Sequence, residues 1–221
     1  MDRTQLIHLG IPVVAYLLGS VPFGLLVAHV FGGHDVRKSG SGNIGATNVS
    51  RVAGPFAGIL TLLLDAAKGS VAVLAAARLT SDSALWVMIA GILALLGHCY
   101  PLWLHFRGGK GVATAAGVFL VLSPLAMFSA LAVFIVVVIF WRFVSLGSLA
   151  AAAAIPLLMY FLWAPHHAPP FVVTFGSLAI SSLVIYKHDA NMQRLIEGTE
   201  TKFSFRKNPQ AAAKPEKKDA D

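Results

Sequence analysis

The chain has 221 residues, 57% hydrophobic and only 12% charged, with a formal net charge of +7 at pH 7. Soluble domains carry roughly a quarter charged residues, and a body of this size cannot hide so much apolar surface behind so little charge. A soluble enzyme, a disordered protein and a secreted disulfide scaffold are therefore excluded. The single cysteine, Cys99, makes neither an internal bridge nor a metal site. The basic residues sit in short gaps between apolar runs, which indicates a membrane protein with a positive cytoplasmic side rather than a nucleic-acid binder.

In lipid, a helix is the open-ended element that satisfies its own backbone, and one crossing takes roughly 20 apolar residues. The pattern predicts an all-α, polytopic membrane fold. A first uncharged run covers about 5–31, too long and too weakly charged at its start for a cleaved signal peptide. A second, about 54–77, carries Asp65 and Lys68 three residues apart on one helical face. That spacing predicts a buried structural ion pair, although an intramembrane charge is by default a functional candidate too. Runs at about 85–104 and 112–141 follow. The latter is about 45 Å long at roughly 1.5 Å per residue. It holds Ser123-Pro124 near its middle, where proline removes a donor and disfavours helix in the residue before it. Runs at about 145–164 and 170–186 complete the set.

Three gaps are rich in basic and polar residues, 32–51, 105–110 and 187–202, whereas Asp2-Arg3 and the turns at 78–82 and 164–169 carry no net formal charge. Placing all three basic gaps on the cytoplasmic side requires an even number of crossings between Lys110 and Arg142. The stretch 112–141 is therefore read as two short helices hinged at Ser123-Pro124. The expectation is about seven transmembrane helices, some short or broken, with the N-terminus outside and the C-terminus inside; five or six crossings are the alternatives. These helices form one domain, 1–203. Residues 204–221 are a basic tail without apolar period, predicted to be disordered.

Three segments carry the chemistry. In the first, 32–53, Gly40, Ser41, Gly42 and Asn43 follow Arg37-Lys38 and lead through Thr47 to Arg51. Glycine lets backbone N–H groups close on an anion, Ser41, Asn43 and Thr47 can add hydrogen bonds, and Arg51 can fork onto phosphate. A polar loop lying on lipid headgroups has the same composition. In the second, 97–114, Gly108-Gly109-Lys110-Gly111 opens a helix, so backbone donors, a helix dipole and a lysine coincide. Its spacing is not that of the nucleotide-binding phosphate loop, so ATP and GTP are not indicated; a tight turn with a positive-inside lysine is the plain alternative. His98 is read as a structural histidine holding this loop. In the third, 187–202, His188, Asn191 and Arg194 are spaced by three on one face of a helical continuation, as in any amphipathic exit helix. Glu200 is a structural candidate there.

In order from Gly19 to Lys202, the segments GSVPFG…DVRKSGSGNIGATNVSR, GHCYPLWLHFRGGKGVAT and IYKHDANMQRLIEGTETK closely resemble the three motifs of the bacterial acyl-phosphate:glycerol-3-phosphate acyltransferase family. The residues named above show no departure from that pattern, and the lysine-rich tail lies outside it. The resemblance implies a multi-pass enzyme of the bacterial cytoplasmic (inner) membrane with its active site on the cytoplasmic side. Such an enzyme moves a fatty acyl group from acyl phosphate to the 1-hydroxyl of sn-glycerol 3-phosphate, giving lysophosphatidate and phosphate. The expected partners are these substrates and membrane lipid, with no cofactor, metal, nucleic acid or obligate protein partner. The resemblance also implies Ser41, Arg51, Lys110, His188 and Asn191 as the catalytic set. Gly40, Gly42, Asn43, Thr47, Gly108, Gly109 and Gly111 would join them around the phosphates. Ser41, Asn43 and Lys110 would stand nearest the acyl phosphate, and Arg51, Lys110, His188 and Asn191 would hold glycerol 3-phosphate.

Two readings of the residues stand beside this resemblance. None of the eight histidines is followed five positions later by aspartate, so the pair of soluble-type glycerolipid acyltransferases is absent. No Ser–His–carboxylate set is visible either, which makes a covalent Ser41 intermediate the least expected route. The hydroxyl proton would go to His188, whose intrinsic pKa suits a general base, or to a substrate phosphate oxygen, as the family is thought to favour. A transporter of a phosphorylated small molecule is the competing class. Against it, the candidate residues lie on one side of the membrane and no repeat halves are visible.

Overall fold

The computed structural model describes residues 2–33, 35–162 and 170–203. The turn expected at 164–169 and the tail 204–221 lie outside the described residues. The first apolar run is two helices rather than the expected one: α1 (Arg3–Gly19) stops before Pro22, and α2 (Phe23–Gly32) resumes after it. Pro22 lacks the N–H that would continue the ladder and restricts Val21, which breaks the helix. The first polar segment is also more ordered than a loop. It holds a 3₁₀ turn at Val36–Lys38 and then α3 (Ala46–Ala53), and Gly54 at φ +94° separates α3 from α4 (Pro55–Leu79).

The next helix is α5 (Ala84–Cys99), followed by a 3₁₀ turn at Leu102–Leu104. The long apolar stretch divides where proline predicts, into α6 (Val112–Leu122) and α7 (Pro124–Trp141). Ser123 between them is extended, and its side chain caps α7 by accepting from the Ala126 N–H at 3.4 Å. The last helices are α8 (Val144–Leu162), α9 (Phe171–Tyr186) and α10 (Asp189–Ile196), with a bend of 55° between α9 and α10. The described residues contain no strand.

Among the described residues, five stretches are long and apolar enough to cross a membrane: Thr4–Gly32, Pro55–Leu79, Ala84–Leu104, Pro124–Trp141 and Val144–Leu162. A sixth is added if α9 and α10 form one bent span, and the apolar α6 has only 11 residues. The apolar exterior agrees with lipid as the surroundings. On α7, for example, only 11% of the residues are buried, and Ile139 and Phe140 stand outward. The protein is an all-α integral membrane protein.

Lipid supplies no hydrophobic force between helices, so their association rests on close fit and interhelical bonds. A Cβ at Gly19 or Gly97 would strike the backbone of the facing helix in the α1–α5 pair. Gly69 and Gly117 set α4 against α6 in the same way. Ser70 Oγ adds a bond to the Gly117 carbonyl at 2.8 Å. Helix α4 thereby touches α1, α2, α3, α5 and α6, while α7, α8 and α9 pack in succession and close on α5. The main core includes Val73, Met88, Leu95, Val118, Met159 and Ile180. A separate small core of Val27, Val36, Ile44, Val49, Ala57 and Leu104 lies under the first polar segment and gives it a fixed floor.

Candidate active site

The first segment is organised by Asn48, a buried residue early in α3 that sequence reasoning missed. Its Nδ2 faces the carbonyls of Val36 at 3.0 Å, Ser39 at 3.1 Å and Asn43 at 2.8 Å, and its Oδ1 accepts from the Ser41 N–H at 2.8 Å. Gly40, at φ +61°, packs against that carboxamide so closely that no Cβ fits. Asn43 commits its own Oδ1 to the Gly45 N–H at 2.8 Å, closing an Asx-type turn. Ser41, Thr47 and Arg51 are exposed. The available signal for Asn48 was an asparagine beside a helix start, inside a Gly- and Ser-rich stretch that had to be held by something.

The second segment folds back on the end of α5. The N–H groups of Gly108 and Gly109 donate to the carbonyls of Cys99 at 3.2 Å and His98 at 3.1 Å. Gly111, at φ +81°, caps the start of α6. Lys110 leaves this turn and donates through Nζ to Asn191 Oδ1 on α10. Asn191 Nδ2 donates to Glu200 Oε1 at 2.6 Å; Glu200 also accepts from Ser145 Oγ of α8 at 2.7 Å and from Arg194 Nε at 2.7 Å. Glu200 thus ties α10 to α8 and orients the Asn191 amide, so that its oxygen faces Lys110. His188 lies buried in the elbow between α9 and α10, with Nδ1 2.8 Å from the Val184 carbonyl. A carbonyl only accepts, so Nδ1 carries the proton and Nε2 is left as the acceptor nitrogen.

These contacts set the charges. Burial pushes the Lys110 ammonium from its ordinary 10.5 down to about 8; Glu200 opposes the shift, and Arg194, Arg51 and Lys187 add to it. Burial likewise pushes the His188 imidazole from 6.5 down to about 4, opposed by the Val184 carbonyl and reinforced by Lys110. Burial raises the Glu200 carboxyl, but the hydrogen bonds from Ser145, Asn191 and Arg194 outweigh it and leave the group below the usual glutamate range. At neutral pH the site therefore holds a mostly charged lysine, an uncharged imidazole and an ionised carboxylate.

Of the residues expected from sequence, Lys110, His188, Asn191 and Glu200 come together, and Arg51 is close enough to act electrostatically on Lys110. Ser41, Asn43 and Thr47 remain with the first segment and make no hydrogen bond to that group among the described residues. The two glycine-rich segments do meet: Gly42 and Gly108 both line a cleft of about 800 Å³, with Arg37, Lys38, His105 and Arg107 supplying basic groups. Asp35 in this cleft pairs with Arg37 at 2.7 Å, and the bonds from Arg37 hold its carboxyl down at about 2. Ser145 is not identified from sequence, and the cleft cations read there as part of the basic segments without a role at the site. Ser145 lies 55 residues from Glu200, and no local spacing reveals such a pair.

Chemically, a lysine, nearby arginines and an oriented amide suit an anionic oxygen group, whereas the N–H groups of Ser41, Gly42, Gly108 and Gly109, expected from sequence to close on an anion, are bonded within the protein instead. No group of three or more His, Cys, Asp or Glu side chains suited to a metal ion occurs among the described residues.

A family model described as glycerol-3-phosphate acyltransferase matches residues 9–198. A glycerol-3-phosphate acyltransferase of Syntrophotalea carbinolica is 52% identical over 191 residues, which are 86% of this chain and 95% of the relative. One of Geobacter sulfurreducens is 52% identical over 190 residues, 86% of this chain and 94% of the relative. The fold is similar to the crystal structure of PlsY (YgiH), an integral membrane glycerol 3-phosphate acyltransferase, in its glycerol 3-phosphate form. The TM-score is 0.82 at 38% identity, over 89% of this chain and 96% of that one. The lysophosphatidic acid form of that protein matches with a TM-score of 0.79 at 36% identity, over 89% and 95%.

Proposed function

The chain belongs to the glycerol-3-phosphate acyltransferase family, and from that premise we propose that it transfers a fatty acyl group from acyl phosphate to the 1-hydroxyl of sn-glycerol 3-phosphate. The products are lysophosphatidate and inorganic phosphate, and no cofactor takes part. The observation that carries this reading is the Lys110–Asn191–Glu200 chain with Arg51 and an uncharged His188 beside it, a cationic, oriented group that starts from the second glycine-rich turn. The donor part rests on the three-motif resemblance.

In this mechanism Arg51, Lys110, His188 and Asn191 hold glycerol 3-phosphate, and the turns around Ser41, Asn43, Thr47 and Gly108–Gly111 receive the acyl phosphate. The hydroxyl oxygen attacks the acyl carbon, the bond from that carbon to the phosphate oxygen breaks, and inorganic phosphate departs. Acyl phosphate is already activated, so alignment and charge neutralisation are the main requirements. An imidazole titrating at about 4 is a weak base at neutral pH. Phosphate monoester oxygens, with a second pKa near about 6, are the better proton acceptors. The proton therefore goes to a substrate phosphate, and His188 positions the acceptor through Nε2.

The same reading places the enzyme in the bacterial inner membrane. It has seven crossings, counting α6 and α9 among them, an outside N-terminus, and an active site facing the cytoplasm with the C-terminus. The test follows both phosphate release and lysophosphatidate formation by the purified protein in detergent. Release from acyl phosphate should depend on added glycerol 3-phosphate, and acyl-CoA should not replace the donor. Equal turnover with acyl-CoA would refute the donor assignment. No turnover with either donor would refute the activity.

A further inference from the structure

Buried against the second glycine-rich turn lies a cluster of charge that the mechanism does not use. Lys68 Nζ on α4 is 2.8 Å from Asp65 Oδ1, the ion pair expected from their spacing, and the same carboxylate oxygen is 3.5 Å from His98 Nδ1 near the end of α5. Lys68 also donates to the Val21 carbonyl at 3.0 Å, in the break between α1 and α2. All three side chains are almost fully excluded from the surface. Replacing such a cluster with apolar residues is often neutral or stabilising, so stability alone is a weak account of it.

Its placement supplies another account. His98 gives its carbonyl to the Gly109 N–H at 3.1 Å, and Gly109 lies so tightly on the imidazole that an added Cβ would meet Nε2. The edge of the ring turned away from that contact faces Asp65. One turn further along α4, Gly69 packs directly on the Thr114 backbone of α6, just beyond the same loop. The stretch 65–69 of α4 therefore grips the Gly108–Gly111 turn at both ends, through His98 at its entry and through Thr114 at its exit. We propose that Asp65, Lys68 and His98 form a positioning unit that fixes the Gly108–Gly109–Lys110 turn in its phosphate-binding shape. The proposal rests on the reading of that turn as a substrate-phosphate site. Asp65 fixes the His98 ring, the ring and its carbonyl fix Gly109, and Lys68 holds the carboxylate in place from the α1–α2 break.

The test compares His98→Ala, His98→Asn and the double variant Asp65→Leu/Lys68→Met, which removes both charges and the acceptor facing His98 together and avoids a lone buried ion. Each is purified in detergent and followed by backbone hydrogen exchange and by initial rates. In His98→Ala and in the double variant, the Gly108 and Gly109 amides should exchange about tenfold faster or more while the rest of α4 and α5 stays protected. KM for glycerol 3-phosphate should rise by about tenfold, with kcat within about threefold. His98→Asn keeps a donor where Nδ1 stood and should recover most of both losses. Unchanged exchange of the turn in folded His98→Ala or in the folded double variant would overturn the proposal. So would loosening spread evenly over α4 and α5, which marks a role in the fold alone. Exchange needs no turnover, so an inactive wild-type protein whose turn loosens as expected would refute the proposed reaction and leave the bracing intact.

Discussion

Lys110 titrates near the working range of the enzyme, and that gives a prediction with two opposite signs. Burial holds its ammonium at about 8 in the substrate-free site. If the charged form binds the phosphate, about nine-tenths of the enzyme is competent at pH 7 and about one-tenth at pH 9. The second ionisation of glycerol 3-phosphate is complete over that interval, so the substrate charge stays constant. The expected result is a fall of about tenfold in kcat/KM for glycerol 3-phosphate between pH 7 and 9, with an alkaline limb centred on about 8. Stability should move the other way. The unfolded chain keeps the Lys110 proton up to the ordinary 10.5, whereas the native site releases it at about 8, so the native state gains relative stability as pH rises between those values. At roughly 1.4 kcal/mol per pH unit the gain approaches about 3 kcal/mol. The assay is a kcat/KM profile by phosphate release, with thermal unfolding of wild type and Lys110→Met over the same pH range. The Met variant subtracts the other lysines and tyrosines. It should turn over severely slower, with no limb near 8, because it removes the anion's partner. A flat wild-type profile from pH 7 to 9, or the same limb surviving in Lys110→Met, would refute the reasoning.

Three further predictions follow from the same geometry. His188→Gln keeps an amide for hydrogen bonding but no base, so KM for glycerol 3-phosphate should rise while substantial kcat remains; complete loss of kcat at unchanged KM would make His188 the base. Gly109→Ala drives a methyl into the buried His98 ring, and the displaced turn should raise KM by about tenfold at an overpacking cost of about 1–3 kcal/mol; initial rates together with a melting curve check both. Cys99 is the sole native cysteine and is buried, so Thr4→Cys should be labelled by an impermeant thiol reagent in intact cells and Ala220→Cys only after permeabilisation. Labelling of Ala220→Cys from outside would overturn the proposed topology.

Local chemistry accounts for what could be read in the sequence. Ser123-Pro124 broke the long apolar stretch because proline's missing donor acts at the residue itself, wherever the chain goes. The identical signal stands at Val21-Pro22, where the same missing donor divides α1 from α2. The continuous helix expected to carry His188 and Asn191 on one face is interrupted, since His188 stands before α10, but the Asp65–Lys68 pair followed from helical spacing. The 55° bend after α9, which turns His188 into an elbow residue, did not. Contacts across the bundle were also out of reach. Ser145 meets Glu200 only because α8 and α10 are brought side by side, and Asn48 reads as one more polar residue until the loop it gathers has been folded around it.

The shortness of α6 has a consequence for how the proposed acyl-phosphate donor would reach the turn. Eleven residues make about 16 Å of helix at roughly 1.5 Å per residue, against a hydrocarbon layer of about 30 Å. A helix of that length begins or ends well inside the bilayer, so the turn that carries Lys110 can sit below the headgroup plane. The proposed acyl phosphate would then not need to be lifted into water to react: its tail would stay in its own leaflet and its head would slide laterally to the turn. Encounter becomes two-dimensional. At fixed total acyl phosphate, diluting the donor with inert detergent or lipid should slow the reaction in proportion to its mole fraction at the surface, whatever its bulk concentration. The soluble acceptor should obey ordinary bulk saturation in the same preparation.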